Sequence, residues 1–569
     1  MSLMCHRLIR NVAAEPFLYA RSFQHHIRFS SGMASKDRSY EDAIKLLDTL
    51  QSNRAIVSSI SNTSKDMNLH AIPEMLEWTR KAGYEAGDFS KHGLKCIHVA
   101  GTKGKGSVCA MIDSILRRYR YEDGDNGVVP GNTKQKALGK IGLYTSPHLM
   151  TVRERIQIDG SPISEILFAR YFFELWDRFA DAASASDTPH PNPTSSETKP
   201  GYFRYLTIMA LHTFMKEGVE SAIIECGIGG EHDSTNILPA EAVTATAITK
   251  LGIDHVGILG DTVDKIAWHK AGIMKRGVPS FTVPQLEEAQ FVLESRAKEK
   301  YAELKVVNRH SGFNDGTIEL GAEGEFQKDN ASLAMAVSAS HLQALGFEDV
   351  PSPSELLSSQ QPIPGQFLEG LKSMKLAGRC EVVVTGNITW FIDGAHTVDS
   401  IKETGLWYAS KVTRATEEEV APDTKSMLIF NQQDRDPKAL IVTLLQSISD
   451  FRWKSFTFAA FCTNTPFKSE AIKKGDKDLS QQESASKYYS LLDCNQLCME
   501  YASIEEAVEL VHRVSKDEER FFVLVTGSLH LVGGLMKVLE QQRSTREREL
   551  QKPPEPKIGI KRYYHKRTD

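Results

Sequence analysis

The sequence predicts an α/β protein of two domains, each built on a mostly parallel β-sheet flanked by helices. Short apolar strands alternate with helical segments between Cys96 and Thr249, and the alternation resumes near Cys380. Such alternation is typical of parallel sheets whose crossover connections are helices. The length of 569 residues exceeds what one core can organise, so more than one domain is expected.

Composition and charge narrow the classes of protein that fit. Hydrophobic residues make up 41% of the chain and charged residues 25%, which is ordinary for a globular protein. A formal net charge of −5 gives no electrostatic footprint for nucleic acid, so no nucleic-acid partner is expected. No apolar run approaches the roughly 18 to 20 residues that span a bilayer. The eight cysteines form no CxxC pair that would indicate a zinc site.

Residues 1–32 differ from those that follow. Arginines and serines are frequent there, and Glu15 is the only acidic residue. This composition predicts a mitochondrial transit peptide that leads to the matrix or the inner membrane; a disordered tail is the alternative. A start at Met33 would give a cytoplasmic form, so both compartments are predicted.

A loop rich in glycine and lysine joins the first predicted strand to the helix Ser107–Arg118. Glycine permits positive φ angles, and the helix N-terminus adds partial positive charge, so such a loop can hold phosphate. The standard P-loop has Gly at the position of Val99 and Ser or Thr at that of Gly106. A Gly-rich turn with solvated lysines is the alternative. We predict a P-loop-type phosphate site in the segment Gly101-Thr102-Lys103-Gly104-Lys105-Gly106-Ser107.

Periodicity and turn residues predict the other elements of the first domain. An amphipathic helix opens at Ser39–Ile44, and a second follows at 70–83. The polar residues 120–139 indicate a surface insertion, and the Ala, Ser, Thr and Pro-rich residues 181–200 indicate a disordered one. The remaining predicted elements are the helix Phe203–Lys216, the strands Ser221–Cys226 and Val243–Thr249, and the helix Asn330–Leu345.

Several polar side chains lie at or just beyond the carboxyl ends of predicted strands, where open α/β sheets bind ligands. They are Lys105, Ser146, Glu225 and His255. A triphosphate held there needs Mg²⁺, which prefers oxygen ligands such as Glu225 and Ser146, whereas His255 is a less typical ligand. The alternatives are an ordinary turn histidine and a solvated glutamate. Lys270 is either a helix-face charge or a site residue.

The second α/β unit has a Rossmann-like pattern and begins near Cys380. Its strand Ile388–Ile392 ends in Asp393-Gly394-Ala395-His396, and strands at Met427–Asn431 and Phe521–Ser528 follow. Residues 351–364 indicate a linker, and polar insertions are predicted at 412–425 and 464–488. The predicted divisions are a first domain at 40–372 with insertions near 120–139 and 181–200, a hinge at 373–379, a smaller second domain at 380–545 and a charged tail at 546–569.

Five further motifs follow the phosphate loop Gly101–Ser107 along the chain: Thr145–Leu149, Glu225–Asn236, Asp254–Gly260, Asp393–His396 and Asp434–Pro437. Each motif alone is weak, but together they extend over most of residues 40–540. This ordered set resembles the folylpolyglutamate synthase family of the Mur-ligase superfamily, in its fungal form.

The resemblance implies ATP-dependent addition of L-glutamate to the γ-carboxyl of tetrahydrofolate polyglutamates, a reaction that retains folates for one-carbon metabolism. The implied route runs through an acyl phosphate and releases ADP and phosphate. The implied cofactors are ATP and Mg²⁺, and a monovalent cation such as K⁺ is an optional further one. Folate and glutamate are the expected small-molecule partners, and a monomer is expected.

The resemblance also assigns roles to residues. ATP would be held by Gly101 to Ser107, Asn330, Arg379 and Asp393. Mg²⁺ would be held by Ser146, Glu225 and His255, and by Lys270 if that lysine is carbamylated. Glutamate would be held by Arg155, His396 and Ser528, and the implied catalytic residues are Lys105, His255 and Lys270.

Three alternatives remain open at this stage. Arg155 could pair with Asp159 and only stabilise its loop. The enzyme could be a dihydrofolate synthase, or could have both activities. A nucleotide-binding regulatory protein is a third possibility, although such a protein needs no amino-acid pocket.

Overall fold

The computed structural model describes residues 38–50, 64–120, 136–186, 188–358, 362–419, 424–433, 436–449, 456–470, 478–492 and 497–550. The predicted transit peptide, Met33, most of the predicted insertion at 120–139, the motif residues Asp434 and Arg435, and residues 551–569 lie outside these ranges. Within them the chain forms two sheets flanked by helices, so the predicted α/β class is confirmed.

The first sheet has eight strands and is parallel except at one edge. Its strands are β1 Lys95–Ala100, β2 Lys140–Tyr144, β3 Ile156–Ile158, β4 Ser161–Pro162, β5 Val219–Glu225, β6 Val243–Ile248, β7 Pro279–Thr282 and β8 Glu303–Val306. The spatial order is β4-β3-β2-β5-β1-β6-β7-β8, in which β3 runs antiparallel to both β2 and β4. The central strands β1 and β5 are apolar over most of their length because helices cover both faces of the sheet.

Two layers of helices enclose the first sheet. The helices of this domain are α1 Tyr40–Thr49, α2 Ser64–Lys81, α3 Ala86–Lys91, α4 Lys105–Arg117, α5 Glu165–Ser184, α6 Tyr202–Glu217, α7 Val256–Leu259, α8 Val263–Ala271, α9 Glu287–Glu299, α10 Phe326–Ala344, α11 Pro353–Leu357 and α12 Gly365–Ser373. α4, α10 and α12 share one core, and α1, α5 and α6 share another. Short 3₁₀ turns occur at Val152–Arg155, Ser196–Thr198, Ser234–Ile237, Ala240–Ala242 and Ser311–Phe313.

The second sheet has six strands, in the order β13-β12-β11-β14-β10-β9, and only its edge strand β9 is antiparallel. The strands are β9 Glu381–Thr385, β10 Ile388–Ile392, β11 Lys425–Phe430, β12 Phe458–Cys462, β13 Leu497–Tyr501 and β14 Phe521–Thr526. The helices are α13 Val398–Glu419, α14 Pro437–Ser449, α15 Ser480–Leu492, α16 Ile504–Val514 and α17 Leu529–Leu550. In the described ranges, no helix of either domain is long and apolar enough to cross a membrane.

Two predictions for the first domain are wrong. The described part of residues 181–200 is ordered: Lys199 is buried, donates to the Pro193 carbonyl at 2.8 Å and lies over the Trp176 ring. The Lys199 side chain packs on the Trp176 ring, and the composition of the segment does not reveal such a contact. The predicted linker at 351–364 contains α11, whose Leu356 is fully buried in the core with Phe367.

Two stretches of the second domain are more regular than predicted. Part of the predicted insertion at 412–425 belongs to α13, which continues to Glu419. The segment predicted as a charged tail without periodicity begins inside α17, which continues to Leu550. The predicted hinge at 373–379 begins at the last residue of α12 and ends just before β9.

Candidate active site

A single cavity of about 1910 Å³ opens where the carboxyl ends of the first sheet's strands face the second domain. Three of the predicted site residues, Gly101, Lys270 and Ser528, are not among those that line it. The other predicted residues all line it: Thr102, Lys103, Gly104, Lys105, Gly106, Ser107, Ser146, Arg155, Glu225, His255, Asn330, Arg379, Asp393 and His396. The fold therefore brings together residues that lie almost 300 positions apart in the chain.

Backbone hydrogen bonds hold the loop between β1 and α4 against the segment that follows β6. The N–H groups of Thr102 and Lys103 both donate to the Lys250 carbonyl, at 3.2 and 3.0 Å. The Thr102 hydroxyl donates to the Gly252 carbonyl at 3.1 Å. The loop is thus held at the carboxyl end of the central strand β1, and the N-terminus of α4 faces the cavity.

Two glycines of this loop are required by close approach. A Cβ on Gly101 would lie 1.8 Å from the Thr249 hydroxyl oxygen. Gly104 has a φ of +88°, and a Cβ there would lie 2.4 Å from the Asn330 amide oxygen. Because Gly104 reverses the chain in the left-handed region, α4 begins at Lys105 and not at the predicted Ser107.

Glu225 ends β5 directly beside this loop. Only 3% of its surface is exposed, and one carboxylate oxygen accepts the backbone N–H of Ser146 at 3.0 Å. Burial raises the pKa of the Glu225 carboxyl, while the nearby Lys105 ammonium opposes that rise. A buried carboxylate next to one cation is well suited to a second positive charge, such as a divalent metal ion.

Lys270 lies behind the loop in α8 and is 97% buried. Its ammonium donates to the Gly101 carbonyl at 2.7 Å. Burial, together with repulsion from Lys105, lowers the pKa of Lys270 to about 7. The Lys270 side chain is therefore not a solvated charge on a helix face; it contacts the loop from behind.

His255 occupies a turn immediately before α7. It has a φ of +51°, and its backbone N–H donates to the Asp254 side chain at 2.8 Å. A left-handed conformation is uncommon at residues other than glycine, and where it does occur it is often at a functional site. His255 is thus a turn residue that also lines the cavity.

Arg155 is held by a 3₁₀ turn at the edge of the same cavity. Its Nε donates to His148 Nδ1 at 3.0 Å, and its guanidinium lies 5.5 Å from the centre of the Tyr202 ring. Burial and the Arg155 charge lower the pKa of His148 to about 4, so this histidine is a neutral acceptor at pH 7. Asp159 instead pairs with Arg120 at 3.0 Å, so the alternative pairing of Arg155 with Asp159 is wrong for this structure.

The Asp393 carboxylate organises the second domain's side of the cavity. It accepts hydrogen bonds from the Cys380 and Ala395 N–H groups, at 2.8 and 2.9 Å, and from the Thr404 hydroxyl at 2.9 Å. The first of these contacts holds Cys380, the residue that follows Arg379, and Arg379 lines the cavity. Asp393 therefore shapes the wall that presents Arg379.

The two remaining residues predicted to hold glutamate differ in their positions. His396 lines the cavity, and its Nδ1 lies 3.0 Å from the Gly394 carbonyl. The Ser528 hydroxyl accepts the His530 N–H at 3.1 Å, as an N-cap of α17 does. Ser528 is therefore not part of the cavity lining, although the next residue, Leu529, is.

Sequence reasoning missed two side chains that touch the phosphate loop. The buried Gln327 amide donates to the Ser107 hydroxyl at 3.3 Å, and Asp399 of the second domain pairs with Lys103 at 2.5 Å. The only available signal for Gln327 was its position three residues before Asn330, one turn away on the same helix. The sequence contained no signal for Asp399, because the pairing depends on how the two domains face each other.

The chain is similar to known proteins over most of its length. A family model for the C-terminal domain of dihydrofolate synthetase matches residues 375–538. A folylpolyglutamate synthase from Saccharomyces cerevisiae is 40% identical over 519 residues, which cover 89% of this chain and 87% of that protein. The chain belongs to the folylpolyglutamate synthase family.

Solved structures show the same fold at lower sequence identity. Escherichia coli FolC in complex with DHPP and ADP has a TM-score of 0.59 at 19% identity, over 90% of this chain and 99% of that chain. A bifunctional folylpolyglutamate synthase/dihydrofolate synthase from Yersinia pestis, complexed with AMPPNP and Mn ion, has a TM-score of 0.55 at 21% identity, over 82% and 93%. Family membership and the fold of two α/β domains are thus established independently of each other.

Proposed function

We propose that this chain catalyses the ATP-dependent addition of L-glutamate to the γ-carboxyl of tetrahydrofolate and its polyglutamates. One observation carries the proposal: the phosphate loop, the buried Glu225 and the buried Arg155 all open into one cavity that both domains line. A nucleotide, an acceptor carboxylate and an amino acid can therefore meet there. The yeast relative, named as a folylpolyglutamate synthase, supports the same activity.

The nucleotide site is the first part of this proposal. The N-terminal N–H groups of α4 have no intrahelical partners and, with Lys105, suit the triphosphate of ATP. Arg379 and Asn330 line the same cavity and would contact the rest of the nucleotide. The ADP and AMPPNP complexes of the two bacterial proteins support this assignment.

The residues present fit Mg²⁺ as the accompanying metal ion. Among the described residues, no three His, Cys, Asp or Glu side chains group closely enough to hold a metal by themselves. Mg²⁺ needs no such group, because it is bound by one or two carboxylates together with waters and substrate phosphates. Glu225, Ser146 and His255 would hold it, and when bound it would neutralise charge on the phosphates. The Mn ion of the Yersinia pestis structure supports a divalent cation.

The reaction then needs two displacements. The acceptor γ-carboxylate attacks the γ-phosphorus of ATP, the bond to the ADP oxygen breaks, and an acyl phosphate forms. The amine of glutamate attacks the acyl carbon, phosphate leaves, and the amine loses its proton. Lys105 lines the cavity and would stabilise negative charge on the transferred phosphoryl group, an effect that supplies much of the catalysis in such transfers.

Glutamate would bind between the two domains. Among the described residues, the terminal nitrogens of Arg155 make no hydrogen bond, so its guanidinium fork can bind a carboxylate. His396 faces the same cavity from the second domain. Lys270, if carbamylated, would add a carboxylate close to Gly101; its lowered pKa supports this, because only a neutral amine reacts with carbon dioxide.

The location of the enzyme is also part of the proposal. Residues 1–32 would direct one form to mitochondria, and a start at Met33 would give a cytoplasmic form. Support comes from the arginine-rich, acid-poor composition of that segment. We further propose that the enzyme acts as a monomer, since the cavity is formed by the two domains of one chain.

Dihydrofolate synthase activity is the second candidate. The match of residues 375–538 to a dihydrofolate synthetase domain favours it, as does the bifunctional Yersinia pestis relative. The deciding experiment measures ADP release that depends on added glutamate, with tetrahydrofolate or with a pterin acceptor that lacks glutamate. Release with tetrahydrofolate alone supports the first function, release with both supports a bifunctional enzyme, and release with neither contradicts both.

A further inference from the structure

Gln327 lies in the first turn of α10, against the phosphate loop, and none of its surface is exposed. An uncharged amide is costly to bury unless its hydrogen bonds are made. Gln327 lines the cavity and makes its hydrogen bonds with two other residues that line it. Asn330 donates to its amide oxygen at 2.9 Å, and its amide nitrogen donates to the Ser107 hydroxyl at 3.3 Å.

These two bonds fix the orientation of three polar groups. Since Gln327 donates to Ser107, the Ser107 hydroxyl accepts there and must direct its own hydrogen elsewhere. Since Asn330 donates through its nitrogen, its amide oxygen is the atom that faces Gly104. A reversed Gln327 amide would point one NH₂ group at another, so the arrangement has one stable direction.

We propose that Gln327 is a positioning residue for the nucleotide: it orients the Ser107 hydroxyl and the Asn330 amide toward a nucleoside triphosphate and ties the phosphate loop to α10. The Ser107 hydroxyl, at the N-terminal turn of α4, then donates to an anionic phosphate oxygen. Because none of the Gln327 surface is exposed, it acts through these two side chains. This inference rests on the proposed binding of ATP in the cavity.

Two substitutions at Gln327 test the proposal. Gln327→Glu keeps an acceptor for Asn330 but removes the donor to Ser107, and Gln327→Met removes both bonds at similar length. Each is expected to raise the KM for ATP about tenfold, as the loss of one positioned hydrogen bond does. The KM for glutamate is expected to stay within about twofold, because no contact of Gln327 reaches Arg155 or His396.

A double-mutant cycle separates positioning from a general loss of packing. If Gln327 acts through Ser107, adding Ser107→Ala to Gln327→Met causes no further loss. The double variant then has a KM for ATP no higher than that of the single variant with the higher KM. Gln482→Met is the matched control, since Gln482 is also buried but lies in α15 and does not line the cavity. It is expected to leave both KM values unchanged.

The outcomes are distinct. Additive losses in the cycle, or equal rises in the KM for ATP and for glutamate, overturn the positioning role. An unchanged KM for ATP in Gln327→Glu, which differs from the parent by one atom, overturns it as well. A parent enzyme that releases no ADP in the presence of folate and glutamate contradicts the proposed function instead.

Discussion

Replacing Arg155 by Lys tests whether the two domains hold glutamate between them. The substitution keeps the positive charge but removes the planar fork that can bind a carboxylate through two parallel hydrogen bonds. It also removes the Nε donor that reaches His148 at 3.0 Å. The KM for glutamate is therefore expected to rise, while the KM for ATP stays nearly constant.

The size of the effect follows from burial. Arg155 exposes only 9% of its surface, so a carboxylate bound there is largely removed from water. Removing one partner of such a buried charge pair weakens the free energy of binding by about 2–5 kcal/mol. Because Lys retains the charge, we expect the lower end of this range, about 2 kcal/mol, which is about a thirtyfold rise in the KM for glutamate.

Steady-state rates of ADP release, with glutamate and ATP varied separately, measure the two constants. Arg178→Lys is the matched control: Arg178 also lies over a tyrosine ring, that of Tyr84 at 5.6 Å, but it does not line the cavity. Its substitution is expected to change neither constant. Equal changes in the two constants of Arg155→Lys, or no change, would refute the assignment.

Three further predictions follow. Lys105→Ala and Glu225→Ala are each expected to abolish glutamate ligation with an unchanged circular dichroism spectrum, because both side chains line the cavity; near-normal turnover would remove the residue from the mechanism. Burial lowers the pKa of His98 and of His341 to about 3, from 6.5, so the unfolded chain binds protons that the folded chain does not. The free energy of unfolding, measured in urea, should therefore fall by about 2 kcal/mol per histidine between pH 7 and pH 5, and equal values at the two pH values would contradict this. Residues 1–32 fused to a fluorescent protein should direct it to mitochondria, and a diffuse cytosolic signal would contradict the targeting role.

Buried strands were the part of the fold that the sequence predicted best. β10 runs from Ile388 to Ile392, as predicted, because its apolar run is bounded by polar residues on both sides. Helix starts were predicted less well. α4 begins two residues earlier than expected, since Lys105 and Gly106 have no apolar periodicity and the start is fixed by the left-handed Gly104.

The sequence predicted which residues lie in the site better than it predicted which side chains pair there. Open α/β sheets bind ligands beyond the carboxyl ends of their parallel strands, which lie on the same side of the sheet. From this rule the sequence predicted that Lys105, Glu225 and His255 lie close together, and all three line one cavity. The partner of Arg155 could not be predicted in the same way. Both His148 and Asp159 are within seven residues of it, and only the path of the chain decides that His148 is the acceptor.

The ion pair between Lys103 and Asp399 explains how the loop can serve both the nucleotide and the contact between domains. Asp399 is 77% exposed, and a pair of this kind contributes about 0–1 kcal/mol. The domains have a second connection elsewhere, where the Glu323 carboxylate accepts hydrogen bonds from the Trp407 indole and the Lys411 ammonium. Because that connection does not involve the loop, a triphosphate can take Lys103 from Asp399 without separating the domains. The phosphate loop is thus available to ATP even while the second domain rests against it.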